Sequence, residues 1–158
     1  MNYSTALVQL PLVREVGKQR IATPADVYRV CSDIANLAQE SFHVILLSAK
    51  NTLINRHLVS LGLADASLVH PREVFRTAIG PDGGACCALL LVHNHPSGDP
   101  APSAEDLRIT RQLIEAGKIV DIKVLDHVII GRPMEATGDQ PARPGFLSLR
   151  ESGLCSFA

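Results

Sequence analysis

The stretch from His93 to Asp106, HNHPSGDPAPSAED, concentrates side chains that can bind a metal ion or move a proton. It holds two His, two Asp and a Glu within fourteen residues, and it follows the apolar run ACCALLLV. Residues i and i+2 of a β-strand point to the same face, so His93 and His95 can approach one ion while Asn94 points away. Asp106 then supplies a carboxylate from the first turn of the following predicted helix, where the helix dipole favours negative charge.

Two imidazoles and one carboxylate form the ligand set of an open zinc site, in which water occupies the fourth position. Zinc lowers the pKa of such a water to about 7, which provides a nucleophile near neutral pH. His93, His95 and Asp106 are therefore the predicted metal ligands, and Zn²⁺ is the predicted cofactor. Part of the stretch also has a structural explanation, because Ser103 and Asp106 form a capping-box pattern and Asp99 lies in a Ser-Gly-Asp-Pro turn.

A hydrolytic zinc site also needs a group that accepts a proton from the water. The chain has no HExxH motif, so this base has to come from another part of the fold. Seven Glu residues are candidates, and spacing alone does not choose among them. Glu40 is the one that lies at the entry to the apolar run FHVILLS, and the alternative interpretation of it is a solvated carboxylate at a helix end.

The rest of the sequence predicts the elements that position these residues. Apolar runs bounded by turn residues predict strands at about 5–16, 42–48, 52–60, 85–92, 122–125, 127–130 and 146–149. Helical spacing and capping signals predict helices at about 25–39, 70–79 and 103–116, the last of which stops at Gly117. The Pro- and Gly-rich residues 132–145 predict a loop. These elements predict one α/β domain with a mixed β-sheet flanked by helices.

Composition narrows the class of protein. A chain of 158 residues with 46% hydrophobic and 20% charged residues is typical of a soluble globular domain. The net charge of −1 argues against a protein that coats nucleic acid. No signal peptide or membrane span is evident, and four Cys without a CxxC indicate reduced thiols, so we expect a cytoplasmic protein. Cys31 is predicted to be buried, whereas Cys86 and Cys87 are not needed as metal ligands.

Several other polar residues are assigned structural roles. His43 and His57 are expected on strand faces that point toward solvent. Asp126 and His127 form a pair from which we expect a supporting hydrogen bond rather than direct catalysis. His70, which precedes a Pro, is expected to begin a helix.

The ligand stretch also matches a known family motif. H-x-H, seven residues, Ser, two residues and Asp is the motif of the JAMM (JAB/MPN) metalloproteases, and it fits His93, His95, Ser103 and Asp106 without departure. The string LVHNHPSGDPAPSAEDLRITRQLIEAGKIVDIKVLDHVIIG, with HPREVFRTAI and FLSLRESGL, resembles the RadC branch over about residues 20–157. The resemblance implies a cytidine-deaminase-like fold and zinc held by the three ligands and a water. It also implies Glu40 as general base and Ser103 as a stabiliser of the oxyanion.

We accordingly expect a single RadC-like JAB/MPN domain over residues 1–158, with a core at about 20–131, the loop at 132–145 and a strand and tail at 146–158. We expect no N-terminal helix-hairpin-helix segment of the kind that RadC proteins often carry. The first hypothesis is a zinc-dependent metallopeptidase or isopeptidase that acts on a peptide or isopeptide substrate of unknown identity. The alternative is a non-catalytic, zinc-stabilised interaction module associated with DNA repair or recombination.

Other functional classes fit the residues less well. A nucleotide deaminase of the same fold would need H-x-E and P-C-x-x-C, and the chain has neither. The tripeptide HNH is not a nuclease signature, because the residues of that nuclease motif are dispersed along a ββα unit. DNA binding is doubtful because neither charge nor motif supports it, and no membrane partner is expected. An exposed edge strand near the N-terminus would permit a homodimer.

Overall fold

The computed structural model describes residues 19–62, 69–138 and 141–157, apart from the side chain of Asp82. The elements, in chain order, are α1 (Pro24–Val30), a 3₁₀ turn (Ser32–Ile34), β1 (Ser41–Leu47), β2 (Leu53–Leu61), α2 (Pro71–Ile79), a 3₁₀ turn (Pro81–Gly83), β3 (Ala88–Asn94), α3 (Ala104–Val120), β4 (Lys123–Ile130) and β5 (Phe146–Ser148). The strand predicted at 5–16 lies outside the described residues. In the part of the chain that is described, no helix is both long enough and apolar enough to cross a membrane.

The five strands form one mixed sheet in the order β2-β1-β3-β4-β5. β1 pairs antiparallel with β2 and β3, β3 pairs parallel with β4 through the α3 crossover, and β4 pairs antiparallel with β5. The bounds of β1, β2, α2 and β5 agree with the predicted ones to within one residue. The mixed sheet with its flanking helices confirms the predicted fold class.

Helices cover the sheet on both faces. One face packs against α2 and α3 in a cluster that includes Leu89 and Leu113, and the other packs against α1 in a cluster that includes Val27 and Leu90. Every residue of β1 and β3 is buried as a result. Strands covered on both faces have continuous apolar runs, which is why these two strands were evident in the sequence.

Helix α1 is shorter than predicted. The spacing predicted a helix to about residue 39, whereas α1 ends at Val30 and a single 3₁₀ turn follows. Arg56 of β2 lies at this end, where its Nη1 donates to the Val30 carbonyl at 3.0 Å and its guanidinium binds both Asp33 carboxylate oxygens. These contacts satisfy a carbonyl at the helix end and tie the next turn to the sheet, so the chain leaves the helix there.

Helix α3 is longer than predicted, because Gly117 does not stop it. The helix continues to Val120, and Asp121 ends it in a left-handed conformation with φ of 56°. A Cβ at position 117 would lie 2.5 Å from the Ile122 carbonyl oxygen and 3.3 Å from the Phe75 ring. Glycine is therefore required there for close packing rather than for termination.

The strand bounds near the metal-ligand stretch also differ from the predicted ones. β3 starts at Ala88 and runs through Asn94, so His93 lies within the strand. The two short pieces predicted after α3 are one continuous strand, β4. The register with β3 shifts between Leu89 and Leu90, which pair with Val124 and Asp126. The intervening residue of β4 forms a bulge, and this accounts for the break in the sequence pattern.

His43 lies in the protein interior, so the prediction that it faces solvent was wrong. It is 1% exposed, because β2 and β3 pair on both sides of β1 and its side chain points toward the layer that contains α1. Burial, together with the nearby Arg56 guanidinium, lowers the pKa of His43 to about 4, and the Asp33 carboxylate only partly opposes this. His57, on the edge strand, is half-buried.

This lowered pKa predicts a pH-dependent stability. The unfolded chain binds the His43 proton more tightly than the folded one does, so stability is retained above the unfolded pKa of about 6.5 and falls as pH drops toward 4. We expect the wild type to lose about 2 kcal/mol more unfolding free energy than His43→Gln between about pH 7 and about pH 5. Urea unfolding of both proteins measures the difference, and equal losses would contradict it.

Candidate metal centre

The three predicted ligands come together at the carboxyl end of β3. His93 is the next-to-last residue of that strand, His95 follows it, and Asp106 lies in the first turn of α3. One donor atom from each lies within 4.8 Å of the other two, so the group can hold a metal ion. The carboxyl ends of parallel strands that are joined by a crossover helix are where ligands bind in open α/β sheets.

Each imidazole nitrogen lies at a coordination-shell distance from one of the two Asp106 carboxylate oxygens. His93 Nε2 lies 3.3 Å from Asp106 Oδ1, and His95 Nε2 lies 3.4 Å from Asp106 Oδ2. Ligand atoms about 2.0–2.2 Å from a tetrahedral zinc ion lie about 3.3–3.6 Å apart. The two imidazole nitrogens are closer together, at 2.9 Å.

The hydrogen bond on the far side of the His95 ring fixes its tautomer. His95 Nδ1 lies 2.8 Å from the Asp99 carbonyl oxygen, which can only accept a hydrogen bond. Nδ1 therefore carries the hydrogen, and Nε2 of the neutral ring presents a lone pair toward Asp106. The main chain is fixed as well, because the His95 amide donates to the Ile130 carbonyl at 2.9 Å.

A buried relay fixes the tautomer of His93 in the same way. The Thr110 hydroxyl donates its one hydrogen to the Asp106 carbonyl at 2.6 Å, so it must accept from His127 Nδ1, also at 2.6 Å. The neutral His127 ring then accepts at Nε2 from His93 Nδ1, 2.8 Å away. This leaves His93 Nε2 with a lone pair. Burial is the main cause that lowers the pKa of His127, and the nearby His93 is the second. The lowered pKa keeps the His127 ring neutral.

Two lone pairs that face each other at 2.9 Å repel unless a proton or a cation lies between them. Burial alone would raise the pKa of Asp106, but the imidazole groups of His93 and His95, together with the Ser103 amide, hold that pKa well below its usual range. A carboxylate that stays ionised beside two imidazole lone pairs is a ligand set for a divalent cation. The residues present therefore fit a metal ion.

The N-terminus of α3 positions the Asp106 carboxylate. The Ser103 amide donates to Asp106 Oδ2 at 2.7 Å, and the Asp106 amide donates to Ser103 Oγ at 3.1 Å, which forms the predicted capping box. Helix α1 has the same arrangement between Thr23 and Asp26. Ser103 is exposed, and its hydroxyl accepts in this contact, so its own hydrogen can be donated elsewhere.

Glu40 lies beside the three-donor group without belonging to it. Its Oε1 is 4.0 Å from His93 Nε2, and its side chain is 33% exposed. The register of β1 and β3 pairs Phe42 with His93, so the residue two positions before Phe42 comes next to the end of β3. The Gly62 amide donates to the Glu40 carbonyl at 2.8 Å and fixes the main chain there.

The loop that follows His95 is held by Arg132. The guanidinium donates to the Pro96 and Ser97 carbonyls at 3.2 and 2.9 Å, and the Arg132 amide donates to the Gly98 carbonyl at 2.8 Å. Gly98 has φ of 86°, and a Cβ there would lie 2.7 Å from the Arg132 side chain, so glycine is required. The loop carries the Asp99 carbonyl that binds His95.

Asp99, Asp126 and the cysteines take the structural roles expected of them. The Asp99 carboxylate accepts from the Ala101 amide at 3.0 Å, as in a turn, and from Arg143 at 2.9 Å. The Asp126 carboxylate accepts from the His127 amide at 2.7 Å and from Ser148 Oγ at 2.6 Å. All four cysteines are free, and none belongs to the three-donor group.

Thr110 is a site residue that was not predicted from the sequence. It lies four residues after Asp106 on α3, so it shares the helix face of a predicted ligand, and that spacing could have identified it. His127 was predicted to make a supporting hydrogen bond, and its contact with His93 confirms this. Neither residue is exposed.

Thr110→Val should loosen the site without touching a ligand. The variant leaves the Asp106 carbonyl and His127 Nδ1 without their shared partner, so we expect a loss of about 1–3 kcal/mol in unfolding free energy and of about 10–100-fold in metal affinity. Urea unfolding and a competition titration against a zinc chelator measure the two effects. Thr110→Ser keeps the hydroxyl and should stay near wild type. Wild-type metal affinity in Thr110→Val would contradict the assigned relay.

Comparison with known proteins places the chain in a family. The model of the RadC-like JAB domain matches residues 21–153. The UPF0758 protein STH371 of Symbiobacterium thermophilum is 50% identical over 121 residues, which cover 77% of this chain and 46% of that protein. The UPF0758 protein lin1584 of Listeria innocua is 43% identical over 146 residues, which cover 92% of this chain and 59% of that protein.

A UPF0758 protein of Alkaliphilus metalliredigens is 47% identical over 124 residues, which cover 78% of this chain and 52% of that protein. The chain thus spans about half the length of the curated relatives it matches. The family model covers both the sheet and the elements that carry His93, His95 and Asp106. The chain therefore belongs to the RadC-like JAB domain family.

Proposed function

We propose that this chain is a zinc-dependent hydrolase of amide bonds, a metallopeptidase or isopeptidase. One observation carries the proposal: a partly exposed carboxylate, Glu40, lies 4.0 Å from His93 Nε2 yet outside the three-donor group. A base beside an open metal site is the arrangement that metal-assisted hydrolysis needs.

His93, His95 and Asp106 would hold the ion through two imidazole nitrogens and one carboxylate oxygen. This ligand set is one that catalytic zinc uses, and zinc bound there would acidify a water and polarise the substrate carbonyl. The relay from His93 through His127 to Thr110 keeps the ring of His93 in the tautomer that can bind a cation. The Asp99 carbonyl does the same for His95.

Glu40 would act as the general base and then as the general acid. Its carboxylate accepts a proton from the attacking water and delivers that proton to the amine that leaves. With one third of the side chain exposed, it can reach both groups from the solvent side of the site.

Ser103 would donate its hydroxyl hydrogen to the oxyanion that forms on the substrate carbonyl. The capping box supports this role, because the hydroxyl accepts from the Asp106 amide and is thereby held beside a predicted ligand while its own hydrogen stays available. An N-cap position also places the partial positive charge of the helix end near the developing negative charge.

A zinc-stabilised interaction module without turnover is the second candidate. The buried relay favours it, because a metal bound by His93 would be connected through His127 and Thr110 to the packed face of α3 and would stabilise that core. Binding of an ion to the folded state alone raises the unfolding free energy whether or not reaction follows.

Profiling with two libraries separates the candidates. Internally quenched peptides and peptides joined through a lysine isopeptide bond are incubated with zinc-loaded protein, with chelator-treated protein and with zinc-treated Asp106→Asn. The hydrolase proposal predicts turnover in the first sample only. Stoichiometric zinc binding with no cleavage in either library would reject hydrolysis and leave the interaction module.

A further inference from the structure

We propose that Asn94, the residue between the two histidine ligands, is a positioning residue that sets the location of Glu40. The inference rests on the proposed role of Glu40 as the base. Strand alternation turns Asn94 to the sheet face opposite His93, away from the metal group, and its side chain is fully buried there. The proposed hydrolytic steps assign no task to this buried amide.

The side-chain amide of Asn94 forms hydrogen bonds with the chain on both sides of Glu40. Its Oδ1 accepts from the Ser41 amide at 2.7 Å and from the Ser41 hydroxyl at 2.8 Å. Its Nδ2 donates to the Gln39 carbonyl at 3.0 Å. The residues directly before and after Glu40 are thus bound to one side chain.

The chemistry of these partners requires an amide. The Ser41 N–H can only donate and so must face an oxygen, and the Gln39 carbonyl can only accept and so must face an N–H. The Ser41 hydroxyl donates to Asn94 and therefore accepts from His43 Nε2, which lies 3.1 Å away. Removal of Asn94 would leave the buried Ser41 amide and hydroxyl without this partner.

These hydrogen bonds of Asn94 to Gln39 and Ser41, here called the clamp, fix Glu40 relative to the ligands. Asn94 lies between His93 and His95 in the chain, so the group that holds the Glu40 segment and the groups that would hold the metal belong to three consecutive residues. The amide of Gly62, the residue after β2, donates to the Glu40 carbonyl and completes the restraint. The HNH tripeptide thus combines two ligands with the residue that positions their base.

Asn94→Ala tests the clamp through three readouts in the full chain. We expect the Ser41 amide to exchange its hydrogen at least about 10-fold faster, and the zinc affinity from chelator competition to stay within about 3-fold of wild type. With the best-cleaved library peptide we expect kcat to fall about 10–100-fold at unchanged KM, since displacement of a catalytic group by about 1 Å has an effect of this size. In a Glu40→Gln background, Asn94→Ala should cause no further loss.

The results that would overturn the proposal differ from those that would overturn the proposed function. Unchanged exchange at Ser41, or an equal kcat loss in both backgrounds, would reject the clamp, whereas a wild type without turnover would reject hydrolysis. If Asn94→Ala does not fold, Ser41→Ala removes the hydroxyl contacts with Asn94 and His43 and keeps the bond from the Ser41 amide to Asn94. We then expect kcat to fall about 3–10-fold, again only when Glu40 is present, and a wild-type kcat would reject the clamp.

Discussion

Glu40→Gln should lower kcat for peptide or isopeptide hydrolysis by about 10²–10⁴-fold while the protein still binds zinc. Glutamine has nearly the shape of glutamate, but its amide cannot accept the proton of an attacking water. Because Glu40 lies 4.0 Å from His93 Nε2 and outside the three-donor group, its replacement removes no ligand. We therefore expect the zinc affinity to change by less than about 3-fold.

Glu73→Gln is the matched control for this prediction. Glu73 is also partly exposed, but it lies on α2 and pairs with Arg72 and Arg76 on the surface. Surface pairs contribute about 0–1 kcal/mol, so this variant should keep wild-type kcat. Steady-state kinetics of wild type, Glu40→Gln and Glu73→Gln on one library peptide measure the three kcat values. Hydrolysis by Glu40→Gln at the rate of Glu73→Gln would remove Glu40 from the mechanism.

Asp106→Asn should lower the zinc affinity by more than about 100-fold. This effect is larger than the one expected when a residue that hydrogen-bonds to a ligand is replaced. The change replaces an ionised carboxylate that lies 3.3–3.4 Å from both imidazole nitrogens with a neutral amide. For wild type we expect zinc at about 1,000 times its Kd to raise the unfolding free energy by about 4 kcal/mol. At the same zinc concentration the variant should gain at most about 1.4 kcal/mol in urea unfolding.

Asp26→Asn separates coordination from capping. Asp26 has the same capping-box position in α1 that Asp106 has in α3, and its carboxylate accepts from the Thr23 amide at 2.9 Å. Both variants remove a negative charge from a helix N-terminus, where such a charge contributes about 0.3–1 kcal/mol. Asp26→Asn should nevertheless bind zinc like wild type. Equal losses of zinc affinity in the two variants would mean that Asp106 acts through the helix and not as a ligand.

Local patterns were enough to predict the metal-ligand group. Strand alternation brings His93 and His95 to one face, and a capping box fixes Asp106 at the start of the next helix, so all three follow from a short stretch. Glu40 lies far from this stretch in the chain, and its approach depends on the pairing of β1 with β3. Its position at the entry to an apolar run singled it out among the seven Glu, and the family resemblance gave it the role of base.

The features that the sequence did not reveal depend on contacts between distant residues. Arg56 on β2 binds the end of α1, and nothing near residue 30 indicates it. Gly117 was predicted to end a helix. A sequence alone does not distinguish a glycine that permits close packing from one that ends a helix. His43 was expected in solvent, since strand alternation does not show that helices cover both faces.

The most direct test of the metal centre is an anomalous difference map from crystals grown with Zn²⁺, recorded at the zinc absorption edge. We predict a strong peak about 2.0–2.2 Å from His93 Nε2, His95 Nε2 and one Asp106 carboxylate oxygen. No peak at this position at saturating zinc, or zinc bound only by other residues, would contradict the assignment.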